Sequence, residues 1–261
     1  MLSNRSKQLV IILFITIVLL PITGNEVLSQ QFNSDNYLTM PHGTGTFVLS
    51  TGERNSAMYA TFSLLPKFEL NFSSALFWED KKANSPQHFS TNIFGKYMFW
   101  VNDANTGGAA MFLGVGRAPG YYNQSGYSAF HKNYWTAIPI TFPLFNNAIS
   151  WDIMPGALVD FDYGSNKKKA WGFTWSTRVA IYKIIPRTGI VAEVYGIEGE
   201  ISSKTEYKVG LRWEPNDYII PAISYGSCFD GSSASGFEFG IIIFTPPFLK
   251  KEFIKNNDIQ Y

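Results

Sequence analysis

The stretch 170–183 constrains the chain more than any other. Its odd positions are Trp171, Phe173, Trp175, Thr177, Val179 and Ile181; its even positions are Gly172, Thr174, Ser176, Arg178, Ala180 and Tyr182. Successive side chains of a β-strand point to opposite faces, so one face is aromatic and aliphatic and the other small, polar and in one place cationic. The run is also long. At about 3.3 Å per residue and a tilt of about 45°, roughly 12 residues rise about 28 Å, close to the apolar thickness of an outer membrane. Strands of soluble proteins average about 5–6 residues. The expectation is a strand that crosses a bilayer.

The same alternation recurs along the chain, at 44–51, 57–64, 68–78, 89–101, 108–116, 134–142, 149–163, from 190, at 206–213, 218–225 and 237–243. Proline cannot donate to a strand ladder, so Pro139 predicts a bulge or broken hydrogen bond, and Pro155-Gly156 a kink. Within 218–225 both parities are apolar, which leaves its register open. Connections after the even-numbered strands are short and most of the others longer, the pattern of periplasmic turns and extracellular loops. Charges inside the strands fall on the polar face: Glu69, Lys96, Asp152, Arg178, Glu193, Glu206, Lys208, Arg212 and Glu238. On a lipid face near the midplane a Lys or Arg would cost about 2–4 kcal/mol. The fold class read from these patterns is all-β: a transmembrane antiparallel up-and-down β-barrel of about 12 strands. A soluble sandwich or periplasmic binding barrel, with the faces inverted, satisfies the same alternation and stays open.

Composition agrees with a membrane barrel. Charged residues make up 16% of the 261 residues, against about 25% in a usual soluble domain, and aromatics another 16%, as interfacial girdles require. Arg5 and Lys7 precede the apolar run 9–20, too short for a transmembrane helix, so 1–29 reads as a secretory signal peptide. The rest divides into a periplasmic lead-in (30–43), the barrel (44–245) and a C-terminal periplasmic tail (246–261). Removing 1–29 takes away Arg5, Lys7 and Glu26, so Lys+Arg falls from 21 to 19 and Asp+Glu from 20 to 19. A neutral exported chain carries no basic excess for nucleic acid. The lone Cys228 forms no internal disulfide. The expected location is the bacterial outer membrane, with outer-membrane lipid as the immediate partner.

Chemistry is sparse. His42, His88 and His131 lack metal-ligand spacing, and no metal or cofactor is expected. His88-Phe89-Ser90-Thr91-Asn92 resembles the His-x-Ser-Asn element of outer-membrane lipid hydrolases, in which a histidine activates a wall serine, but Asn is displaced by one position and no glycine follows. In this register both residues point inward, whereas those enzymes attack lipid from outside. The candidate binding residues are therefore the inward ions Lys96, Asp152, Arg178, Glu193, Glu206, Lys208, Arg212 and Glu238. They form either a solute path or a mutually paired plug. The long loop 117–133 offers Tyr121, Tyr122 and Tyr127 for glycan stacking or for capping the barrel, and 167–169 is a solvated basic loop or a contact for lipid phosphates.

The segment Asn36-Tyr37-Leu38-Thr39-Met40-Pro41-His42-Gly43-Thr44-Gly45-Thr46-Phe47 resembles the approach to the first strand in YjbH-like outer-membrane proteins. Leu64-Leu65-Pro66-Lys67-Phe68-Glu69-Leu70 is similar to their second hairpin, and the likeness covers 36–78. It departs at His42, where the family has Ser or Thr. The resemblance implies a barrel associated with exopolysaccharide production or export, without catalytic residues. The expected function is a non-enzymatic outer-membrane barrel, narrow or plugged, in envelope structure or in passage or binding of a polysaccharide or small polar solute. A lipid hydrolase and a soluble binding barrel are the alternatives.

Overall fold

A computed structural model describes residues 32, 34–77, 88–117, 131–162, 169–231 and 233–249. The strands are β1 (Gly45–Gly52), β2 (Asn55–Leu65), β3 (Phe68–Phe77), β4 (His88–Val101), β5 (Gly108–Arg117), β6 (His131–Ala137), β7 (Ile140–Leu144), β8 (Ile149–Asp162), β9 (Lys169–Ile185), β10 (Thr188–Gly199), β11 (Glu206–Trp213), β12 (Ile219–Cys228) and β13 (Ser233–Phe244). Each pairs antiparallel with its neighbours, and β1 pairs with β13, so the sheet closes on itself. β6 and β7 are two halves of one stave, because both lie between β5 and β8. The result is a closed 12-stranded antiparallel barrel.

The break between β6 and β7 falls at Ile138-Pro139, where the proline predicted it. The ladder survives on both sides, since Ala110 N–H donates to Pro139 O at 3.0 Å and Ile138 N–H to Pro155 O at 2.9 Å. β8 runs through Pro155-Gly156 without a register shift, so the expected kink does not interrupt the strand. A second irregularity was not legible in the sequence. Between Met98 and Trp100, β4 slips by one residue against β5. This bulge turns both Phe99 and Trp100 outward, although strict alternation counted from the inward Lys96 puts Trp100 on the polar face. The ambiguous β12 resolves with Ile220, Ala222, Ser224 and Cys228 inside and Ile223 and Tyr225 outside.

The two faces are those of a membrane barrel. Trp171, Leu113 and Phe239 are 53–59% exposed on the outer surface, while Asp152, Arg178, Glu193 and Lys208 are 0–6% exposed within. Water solvates ions and lipid solvates hydrocarbon, so this distribution is stable only with lipid outside. The soluble alternative needs the reverse and is excluded. Tyr207 and Trp213 stand near the two ends of the outer face of β11, with Val209 and Leu211 between them. Short turns gather at one end, where Lys67 and Arg187 follow prolines at φ values of 62° and 57°. At the same end Phe248 N–H donates to Gly43 O at 2.8 Å, and Thr245 N–H to Gly45 O at 2.9 Å.

The expectation for the lead-in changes as well. The lead-in 30–43 was assigned to the periplasm, yet Ser34, Asp35, Asn36, Tyr37 and Thr39 are buried inside the barrel. The physical reason is the wall itself: an enclosed ring of charges must be wetted or paired, and this segment supplies partners. Residues 1–31 and 250–261, with the signal peptide and most of the C-terminal tail, lie outside the described residues.

Candidate functional site: the bore

The inward ions are arranged by register. Thr141 on β7 faces Asp152 on β8; Asp152 faces Arg178 on β9; Arg178 faces Glu193 on β10; Glu193 faces Lys208 on β11. Charges thus alternate in sign across four adjacent strands, the favourable order for cross-strand pairs. Arg178 Nε and Nη2 donate to Asp152 Oδ2 at 2.9 and 2.8 Å, and Thr141 Oγ1 donates to Asp152 Oδ1 at 2.6 Å. Lys208 faces Gly226 on β12 and reaches past it to Glu238 on β13, with Nζ 2.6 Å from Oε2. A Cβ at Gly226 would stand 2.2 Å from Ser235 Oγ but 3.6 Å from Lys208 Cε, so the missing side chain makes room for Ser235. Glu238 also accepts from Asn55 Nδ2 at 3.0 Å. Glu206 accepts from Tyr195 OH at 2.8 Å, and Arg212 Nη2 lies 3.4 Å from Glu214.

On the facing wall, Lys96 of β4 lies 2.8 Å from Asp35 of the lead-in and 3.9 Å from Glu69 of β3. Main-chain groups of 34–40 bond to the wall at several points. Ser34 N–H donates to Glu193, Arg178 Nη1 donates to Ser34 O, Tyr37 N–H donates to Thr141 Oγ1, Lys96 donates to Leu38 O, and Met40 N–H donates to Glu69. Apolar contacts anchor it at three points. Phe32 packs on Ala180 and Val191, Tyr37 on Met98 and Ala110, and Met40 against the cluster of Val48, Ile220, Ile242 and Phe244. The segment therefore spans the bore from the β9–β11 wall to the β3–β5 wall.

Part of the interior is filled by aromatic packing. Phe94, Phe112 and Trp135 meet with ring centroids 4.9–5.9 Å apart, and Tyr59 closes on Phe94 at 5.5 Å. Gly114 makes this possible, since a Cβ there would fall 2.3 Å from the Trp135 ring. Ile201, in the β10–β11 connection, turns in over Leu158 and Ile197.

All eight inward ions of the sequence reading face the bore; Asp152, Arg178, Glu193, Lys208 and Glu238 are linked by register and contact, Lys96 meets the lead-in at Asp35, and Glu206 is held by Tyr195. Arg212 lies beside Glu214. Sequence reasoning missed Phe94, Phe112, Trp135 and the lead-in. The glycine at 114 was the available signal for an inward indole. Tyr121, Tyr122, Tyr127, Lys167 and Lys168 lie outside the described residues; Lys169 sits over the Phe161 ring at 5.4 Å. Ser90 is buried on the inner face, away from lipid. Among the described residues no three His, Cys, Asp or Glu gather as metal ligands. Beyond the strands, Lys204 bonds Asp230 at 2.6 Å, and this hydrogen bond raises its pKa above the ordinary lysine value.

No protein-family model and no curated protein matches the chain. Solved structures do. The KdgM porin in complex with disordered oligogalacturonate is 13% identical, covers 78% of this chain and 98% of its own, and superposes with a TM-score of 0.50. The NanC porin is 11% identical, covers 78% and 99%, and also gives 0.50. The likeness is one of fold: an outer-membrane β-barrel.

Proposed function

We propose that the chain is a non-enzymatic outer-membrane conduit for a small polar solute or a polysaccharide strand, held shut in the form seen here by its own residues 34–40. The observation that carries this reading is the double use of the ionic wall. Lys96, Arg178, Glu69 and Glu193 are charges a hydrated path would need, and each contacts a segment that runs on into β1. Carboxylates outnumber cations among the described inward groups, so the bore suits a neutral saccharide or small polar solute better than a polyanion. In this it differs from the KdgM porin, whose structure holds oligogalacturonate. The YjbH-like resemblance of 36–78 adds an exported polysaccharide as the cargo to test first.

Liposome swelling tests the reading. Vesicles carrying the Asp35→Lys chain, in which the segment is repelled by Lys96, swell in small neutral sugars, and wild-type vesicles swell slowly. Equal, negligible swelling by both folded proteins favours the second reading, an envelope-structural barrel, to which the aromatic packing of Phe94, Phe112 and Trp135 lends support. The inward, buried Ser90 gives a lipid-hydrolase reading no access to its substrate.

A further inference from the structure

The wall contacts of 34–40 have an order. Along the segment the wall offers an acceptor to Ser34 N–H (Glu193), a donor to Ser34 O (Arg178), an acceptor to Tyr37 N–H (Thr141), a donor to Leu38 O (Lys96) and an acceptor to Met40 N–H (Glu69). The wall thus meets N–H and C=O groups in turn along a main chain that bends at Tyr37, where Leu38 N–H turns back to Asn36 Oδ1 at 2.7 Å. Main-chain groups are common to every peptide, so the wall reads a backbone rather than one sequence. It also reads three side chains. Asp35 places its carboxylate 2.8 Å from Lys96 Nζ, Phe32 sits three residues before it on Ala180 and Val191, and Tyr37 two residues after it on Met98 and Ala110. The seat for Tyr37 is cut into the wall: a Cβ at Gly108 would fall 2.5 Å from the tyrosine ring.

We infer that this inner wall is a peptide-binding site, whose ligand class is a bent peptide with a carboxylate side chain flanked by apolar residues at positions −3 and +2. The chain's own residues 34–40 are the resident occupant, and a second peptide of this chemistry binds in trans once they leave. The inference rests on the reading of 34–40 as a removable stopper.

The experiment uses the full chain, folded in detergent micelles and checked by heat-modifiable gel migration. The probe is a fluorescent peptide with the sequence of residues 31–41, and the readout is anisotropy. The Asp35→Lys chain is expected to bind it about tenfold more tightly than wild type. Binding returns to the wild-type level in Asp35→Lys/Lys96→Asp, where the chain's own segment regains its partner. Asp35→Ala, which removes the bridge without adding charge, gives the same ordering if the first variant does not fold. A peptide carrying alanine at the Asp35 position binds about tenfold more weakly. Equal binding of a scrambled peptide, or no difference between wild type and the loosened chains, overturns the inference. Peptide capture without sugar entry in the swelling assay sinks the passage reading alone; sugar entry without peptide capture sinks this inference alone.

Discussion

Asp152 on β8 and Arg178 on β9 are cross-strand partners, and the guanidinium closes on a single carboxylate oxygen through Nε at 2.9 Å and Nη2 at 2.8 Å. Both side chains are almost fully buried. Removing one partner leaves the other charged and unpaired in the bore. Arg178→Met is therefore expected to destabilise the barrel by about 3–5 kcal/mol, and Asp152→Asn added to it recovers much of the loss. Urea unfolding followed by tryptophan fluorescence measures both; a double variant no more stable than the single one contradicts the pairing.

The aromatic packing gives a steric prediction. At Gly114 an added side chain meets the Trp135 ring, and overpacking of this kind costs about 1–3 kcal/mol. Gly114→Val should lower the urea midpoint, and Trp135→Ala in the same chain should remove most of that penalty. If Gly114→Val is neutral, the indole does not occupy that space.

The outer face predicts a depth profile. Val209 lies between Tyr207 and Trp213 on β11, and an arginine there meets hydrocarbon. Val209→Arg is expected to cost about 2–4 kcal/mol, and Tyr207→Arg nearer the rim about 0–1 kcal/mol. The measurement is unfolding from lipid vesicles. Equal costs at the two sites would mean that β11 does not cross the bilayer where the girdle residues indicate.

The Lys204–Asp230 bridge ties the β10–β11 connection to the β12–β13 connection. Lys204 has a raised pKa, caused first by its hydrogen bond to Asp230. A lysine whose folded value lies above its unfolded one contributes fully below the unfolded value and loses that contribution as pH rises through the folded value. Protease cleavage in these connections should therefore stay constant through neutral pH and rise in the strongly alkaline range. Lys204→Ala should abolish that rise.

The alternation in 170–183 and its repeats made the barrel legible, because a period of two with ions on one side admits few solutions in lipid. Eight inward ions were legible for the same reason. The bulge at Phe99-Trp100 was not, since one slipped residue leaves no trace in composition. Residues 34–40 were missed for a different cause. They show no periodicity, and what places them is a long-range match between their main-chain groups and side chains on β3, β4, β7, β9 and β10. Trp135 was hidden by the same kind of relation: its inward fit depends on Gly114, one strand away.

Single-channel conductance across a planar bilayer tests the central claim most directly, namely that the chain's own lead-in stoppers an ion-lined bore. The account predicts a wild-type protein that is closed most of the time, an Asp35→Lys chain that is open, and an Asp35→Lys/Lys96→Asp chain that is closed again. A wild-type protein conducting as freely as Asp35→Lys, with the double variant no different, would contradict it.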